Sequence, residues 1–282
     1  MERMNKSLLL LNLLLLTLLA CKQDPKANAP QDPNQPSHVT PGEQANPKVL
    51  AGHWIALDFC AFANQYGSVL EAMNNSHIPY AYAITLNPAW PDSAECYNAF
   101  ESWKVQMRYK ADTLELLNAR NGKSVFLIYH SNGEKDITMI DPTGPRTQID
   151  HFIKSKAGTK DGYSAFVTAI NHHLFNGVFT PLGKGASEKV MFTPGGFLQG
   201  MKEYDRYRVC IGGDCFVAGQ DIDIVTLYKA GKEETTSKMF GFRYNGQNDT
   251  LTIYNLLNPT PSEKGAQKVG APAYKFSRVP QM

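Results

Sequence analysis

Two sets of side chains in this sequence have types and spacing suited to chemistry. Asp58, Asp92, Glu95 and Glu101 lie close to Cys60 and Cys96 in the chain. A converging pair of carboxylates supplies the acid and base that glycosidases use, so Asp58, Glu95 and Glu101 are the catalytic candidates of a hydrolase reading. The simpler expectation is a solvated rim around a disulfide, with no catalytic residue. The second set is aromatic. Trp90 lies in the proline-rich stretch Asn87-Pro88-Ala89-Trp90-Pro91-Asp92, where an indole is more available to a ligand than on a strand. Trp90, Trp103 and Tyr82 are the ligand-binding candidates, for a small apolar molecule, a glycan or another envelope protein.

Other chemistry is poorly represented. The sequence contains no Gly-x-Ser-x-Gly elbow, phosphate-binding glycine loop, His-Glu-x-x-His or calcium loop. His172 and His173 are adjacent on an expected helix, so their side chains diverge by roughly 100° and do not share an ion. His53, His77, His130 and His151 occur singly. Asp221 and Asp223 fall on one face of an expected strand, most simply the wet one. No metal or cofactor is predicted. With 28 Lys+Arg against 26 Asp+Glu, a net charge of +2, the chain has no bulk charge for nucleic acid.

The elements that must position these residues are strands. From residue 49 onward apolar side chains alternate in short runs broken by turn residues, the pattern of antiparallel strands with one wet face. Strands are expected at 80–87, 103–109, 112–119, 123–130, 135–141 and 150–155, with hairpin turns at Asn121-Gly122 and Asn132-Gly133. Helical spacing is expected over 66–75 and 163–175. A second series of strands follows near 178–182, 188–193, 203–210, 215–218, 222–229, 238–244, 249–257 and 272–279. The two series look related. Leu50-Ala51-Gly52-His53-Trp54 parallels Phe175-Asn176-Gly177-Val178-Phe179, and 124–139 parallels 239–254.

Six to eight strands per half are enough to close a small barrel, which removes exposed edges. Here the residues resemble the lipocalin and wider calycin group, whose first strand bears Gly-x-Trp and whose last strand lays a basic residue across that tryptophan. Gly52-His53-Trp54 matches the first element, with Lys154 or Lys156 as the basic partner, and Gly177-Val178-Phe179 with Arg278 is a second copy. The resemblance implies a mainly β fold of two tandem lipocalin-like antiparallel barrels joined by a helix, with Trp54, Lys154, Phe179 and Arg278 closing the barrels. A β-sandwich is the other architecture compatible with the pattern.

The N-terminus carries an address. Arg3 and Lys6 precede the apolar run 7–17, which is short for a bilayer span, and Leu18-Leu19-Ala20-Cys21 closes it. This resembles the bacterial lipoprotein signal, which implies cleavage before Cys21 and attachment to a membrane through acyl chains such as palmitate on that cysteine. Residues 22–48 hold six prolines and little that is apolar, so they read as a tether. Lys22, where inner-membrane lipoproteins carry Asp, implies the outer membrane or the cell surface by the same resemblance. The expected organisation is thus signal peptide 1–20, acylated tether 21–48, first domain 49–157, linker helix 158–176 and second domain 177–282. Four cysteines remain in this exported chain, and an even number favours disulfides. Cys210 and Cys215 flank a Gly-Gly turn and are expected to pair, which leaves Cys60 for Cys96.

Overall fold

The structure, a computed structural model, describes residues 45–75, 78–131, 136–183, 188–212, 222–246, 249–257 and 268–280. Its first half is a closed up-and-down barrel of eight strands: β1 (Gly52–Ala56), β2 (Ala83–Leu86), β3 (Ser93–Tyr97), β4 (Ser102–Lys110), β5 (Thr113–Arg120), β6 (Lys123–His130), β7 (Asp136–Asp141) and β8 (Gln148–Lys154). Each strand pairs antiparallel with the next, and β8 returns to β1 with Trp54 opposite Lys154. Along β6, Val125, Leu127 and Tyr129 point inward and are buried, as the two-residue period of a strand requires. Asn121 and Gly122, at φ 53° and 72°, make the two-residue turn into β6. The other expected turn, Asn132-Gly133, lies outside the described residues.

Between β1 and β2 run two helices, α1 (Leu57–Tyr66) and α2 (Val69–Asn75). Helix α2 falls within the span 66–75 expected to be helical, whereas α1 was not anticipated; Gly67, with φ of 64°, ends α1 before it. Strand β3 was not anticipated either: Ser93-Ala94-Glu95-Cys96-Tyr97 is short and follows a proline-rich turn, and its pairing with both β2 and β4 holds it extended.

Helix α3 (Gly162–Leu174) leads to the second half. It starts at Asp161, whose side chain accepts the Ser164 N–H at 2.7 Å. It is no free linker. Its buried stripe, Ala165, Phe166, Ile170 and Leu174, lies on the outer wall of the first barrel, where Phe166 stacks on Tyr82 at 4.8 Å and packs on Phe59 at 5.8 Å. Gly162 allows this approach, since a Cβ there would come within 2.8 Å of the Tyr97 ring.

The second half has eight antiparallel strands: β9 (Gly177–Pro181), β10 (Val190–Phe192), β11 (Leu198–Gln199), β12 (Arg206–Val209), β13 (Asp223–Tyr228), β14 (Lys238–Asn245), β15 (Thr250–Leu257) and β16 (Lys268–Arg278), with a short helix α4 (Glu233–Thr236) before β14. Strand β16 pairs with β9, and the order runs from β11 through β9 and β16 to β12. The two ends meet through a bridge between Phe197 and Arg206 and through bonds from Leu198 N to Asp205 O and from Tyr207 N to Gly196 O, both 2.9 Å, so this barrel is nearly closed. Phe175, Phe179, Phe192, Tyr207, Phe242 and Phe276 fill it, ring against ring. The strand expected at 215–218 lies outside the described residues.

The two halves close in the same way. Lys154 Nζ stands 5.8 Å from the Trp54 ring and donates to Val49 O at 3.4 Å. The Arg278 guanidinium stands 5.2 Å from the Phe179 ring and donates to Leu174 O at 3.0 Å. Gly52 and Gly177, two residues before the two rings, have φ of 128° and 139°, a conformation open to glycine. In both halves the cation of the last strand thus covers the first strand's ring and caps a carbonyl three residues before that glycine.

The barrels also touch directly. At the α1–α2 turn, a Cβ on Gly67 would meet Tyr244 O at 3.0 Å, and Asp223 of β13 accepts the N–H groups of Val69 and Leu70. Asp223 was expected on a wet strand face, but it is 6% exposed because the first barrel covers it.

Candidate binding groove

The carboxylates near Cys60 and Cys96 are held by different elements. Asp58 on α1 accepts the His151 backbone N–H of β8 and lies beside His151 Nδ1, both at 2.9 Å. Glu95 on β3 accepts the Tyr97 hydroxyl at 2.6 Å. Glu101 is exposed in the β3–β4 turn. Strands β1 and β2 separate β8 from β3, so Asp58 stands apart from Glu95. Among the described residues no three His, Cys, Asp or Glu side chains gather to hold a metal ion.

The expected Cys60–Cys96 disulfide is absent. Both are buried free thiols, and the barrel wall divides them. Cys96 lies in the row Trp54, Ile84, Cys96, Trp103, which faces the lumen because Trp54 meets Tyr129 of β6 edge to face at 6.3 Å. Cys60 lies on α1, outside. Burial pushes the Cys60 thiol up to about 12 and raises that of Cys96 further. Cys210 is not among the free thiols. Cys215 and Cys21 lie outside the described residues.

The three aromatic candidates do not share a site. Tyr82 is 4% exposed and forms the packing layer beneath α3, so it cannot line a binding surface. Trp90 occupies the β2–β3 turn with Lys104 Nζ 4.1 Å from its ring. Trp103, at the start of β4, lies at the opposite end of the barrel, where its indole donates to the Tyr80 hydroxyl at 2.9 Å.

That end carries a polar network. Tyr80 donates to Ala119 O at 3.2 Å, Arg120 lies 5.4 Å from the Tyr80 ring, and Arg120 Nη1 reaches Asp141 Oδ2 at 3.2 Å. Asp141 also accepts the Thr143 backbone N–H at 2.9 Å and its hydroxyl at 2.5 Å. Burial pushes the Tyr80 hydroxyl up to about 12. The network was not anticipated, though Ile137, Met139 and Asp141 alternate along β7 and place a carboxylate in an inward position. Every group of this network is engaged within the protein.

An opening lies between the barrels. A groove of about 530 Å³ runs over the outer face of β12–β14, whose Arg208, Thr226 and Met239 form one cross-strand row. Ala99 and Phe100 of the β3–β4 turn and Tyr163 of α3 line it from the first barrel. Phe100 is 74% exposed, on a turn fixed by Asn98 Oδ1, which accepts the N–H groups of Phe100 at 2.8 Å and Glu101 at 2.9 Å. Burial raises the Tyr163 hydroxyl pKa while the positive charge of Arg208 opposes that rise. No carboxylate is among the groove's described lining residues.

No protein family, curated protein or solved structure matches this chain. No helix among the described residues is long and apolar enough to cross a membrane. The expected signal and residues 21–44 of the expected tether lie outside the described residues, whereas the end of that stretch is ordered: Ala45 is buried and Asn46 Oδ1 accepts the N–H groups of Lys48 at 3.0 Å and Val49 at 3.1 Å.

Proposed function

We propose that this chain is a lipid-anchored envelope protein that binds glycan in the groove between two lipocalin-like barrels. Phe100 carries the reading. It is 74% exposed on a turn whose backbone Asn98 holds, and together with Tyr163 it offers flat apolar faces suited to the C–H faces of sugar rings. The volume of about 530 Å³ falls within the range of small-ligand sites, roughly 300–1,000 Å³. The barrel lumens favour the groove over an interior site, since bulky side chains such as Trp54, Phe152, Phe192 and Phe242 occupy them. A described lining without carboxylates suits binding rather than hydrolysis.

The anchor rests on the sequence. Acylation of Cys21 and the 22–48 tether place the barrels at the outer membrane or cell surface, and a Cys210–Cys215 disulfide suits that compartment. Calorimetric titration of the barrel pair with neutral and acidic oligosaccharides tests the binding reading. Phe100→Ala is expected to weaken binding at least tenfold with an unchanged melting midpoint. An unaffected variant, or a wild type that binds no oligosaccharide, overturns the proposal. Mass spectrometry of membrane fractions tests the anchor: a Cys21→Ser chain is expected to lose both the acyl mass and the membrane association.

A further inference from the structure

Arg208 is the one cationic side chain among the groove's described lining residues, and the described structure gives it no carboxylate partner. Its guanidinium lies 6.0 Å from the Tyr228 ring, a contact that orients the group without neutralising it. Thr226, opposite Arg208 in the strand register, contributes an uncharged hydroxyl. The acid nearest in chain to Tyr163 is Asp161, and it is committed elsewhere: it caps α3 through Ser164 and stands 3.8 Å from Lys160. Among its described residues the groove thus offers exposed rings and one guanidinium with no carboxylate partner.

We infer that the groove selects glycans bearing a sugar carboxylate, with Arg208 as the specificity-determining residue. This rests on the reading of the groove as a glycan site and names the class of sugar it takes. A guanidinium presents two parallel N–H donors at the spacing of a carboxylate, while Phe100 and Tyr163 cover the sugar ring that bears it. A single cation among the groove's described lining residues and a chain charge of +2 suit one acidic sugar better than a polyanion such as nucleic acid, which needs many phosphate contacts.

The test uses matched pairs that differ in charge: oligogalacturonate against its methyl ester, and sialyllactose against lactose. Wild-type protein is expected to bind the acidic member of at least one pair about tenfold or more tightly. Arg208→Gln should abolish that preference and Arg208→Lys should restore part of it. Phe100→Ala should weaken both members alike, and thermal melts report whether each variant is folded. Equal affinity for both members of each pair, or a preference that survives Arg208→Gln, overturns the inference while leaving glycan binding in place. If the wild type binds none of the four saccharides, both readings fall together.

Discussion

Asp223 of the second barrel accepts the backbone N–H of Val69 in the first at 2.8 Å, and that of Leu70 at 3.0 Å. Ser68 Oγ accepts the next free donor, Glu71 N, at 2.9 Å. The first three N–H groups of α2 are thus capped by two side chains, one of them supplied by the other barrel. Asp223→Ala is expected to destabilise the protein by about 1–3 kcal/mol, measured by denaturant unfolding, because it leaves buried donors unpaired.

The carboxyl of Asp223 also predicts a pH dependence. Burial raises its folded pKa above the ordinary 3.8, against the smaller opposing effects of its hydrogen bonds. A raised folded pKa means that the contribution of this group to stability is fully present below the unfolded value and is lost as pH rises through the folded one. Asp223→Asn keeps an acceptor and cannot ionise. It is expected to flatten that decline and to cost less than Asp223→Ala at neutral pH, as unfolding free energies between pH 3 and pH 7 would show.

Gly67 permits the same contact. Its φ of 64° disfavours a side chain, and a Cβ there would lie 2.9 Å from Tyr244 Cδ1 and 3.0 Å from Tyr244 O. Gly122 has a similar φ of 72°, with open space around it. Gly67→Ala should therefore lower the unfolding free energy by about 1–3 kcal/mol, and by more than Gly122→Ala, which adds backbone strain alone. Equal losses would show that the barrels do not meet at Gly67.

The closing cations differ in what they hold. Arg278 covers both Phe179 and Tyr244 and donates to Leu174 O at 3.0 Å. Lys154 covers Trp54 and reaches Val49 O only at 3.4 Å. Arg278→Met is expected to cost more than Lys154→Met, each within about 0.5–2 kcal/mol for the lost cation–π contact, with the broken hydrogen bond added for Arg278. Thermal melts of the two variants provide the comparison.

Cys60 and Cys96 should resist thiol reagents. Both are buried, and burial pushes the Cys60 thiol up to about 12, so at pH 8 almost no thiolate exists to react. Maleimide labelling followed by peptide mass mapping is expected to leave both unmodified in the native protein. In denaturant without reductant both should be labelled. A pair that stays unlabelled there would be disulfide-bonded after all.

Much of this molecule is determined by local pattern. The alternation of Val125, Leu127 and Tyr129, the Asn121-Gly122 turn and the stripe from Phe166 to Leu174 specify their elements through nearest neighbours alone, because strand and helix periods are local properties. The matching Gly52-His53-Trp54 and Gly177-Val178-Phe179 likewise announced two halves with similar first strands. The tertiary structure decided what depends on residues distant in sequence. It put Cys60 outside the barrel wall and Cys96 inside, buried Asp223 beneath a helix 154 residues earlier in the chain, and brought Phe100, Tyr163 and Arg208 to one groove. Spacing along a chain carries no record of which face of a curved sheet a residue occupies or what later packs against it. The closure of each sheet and the docking of one barrel on the other supply that information.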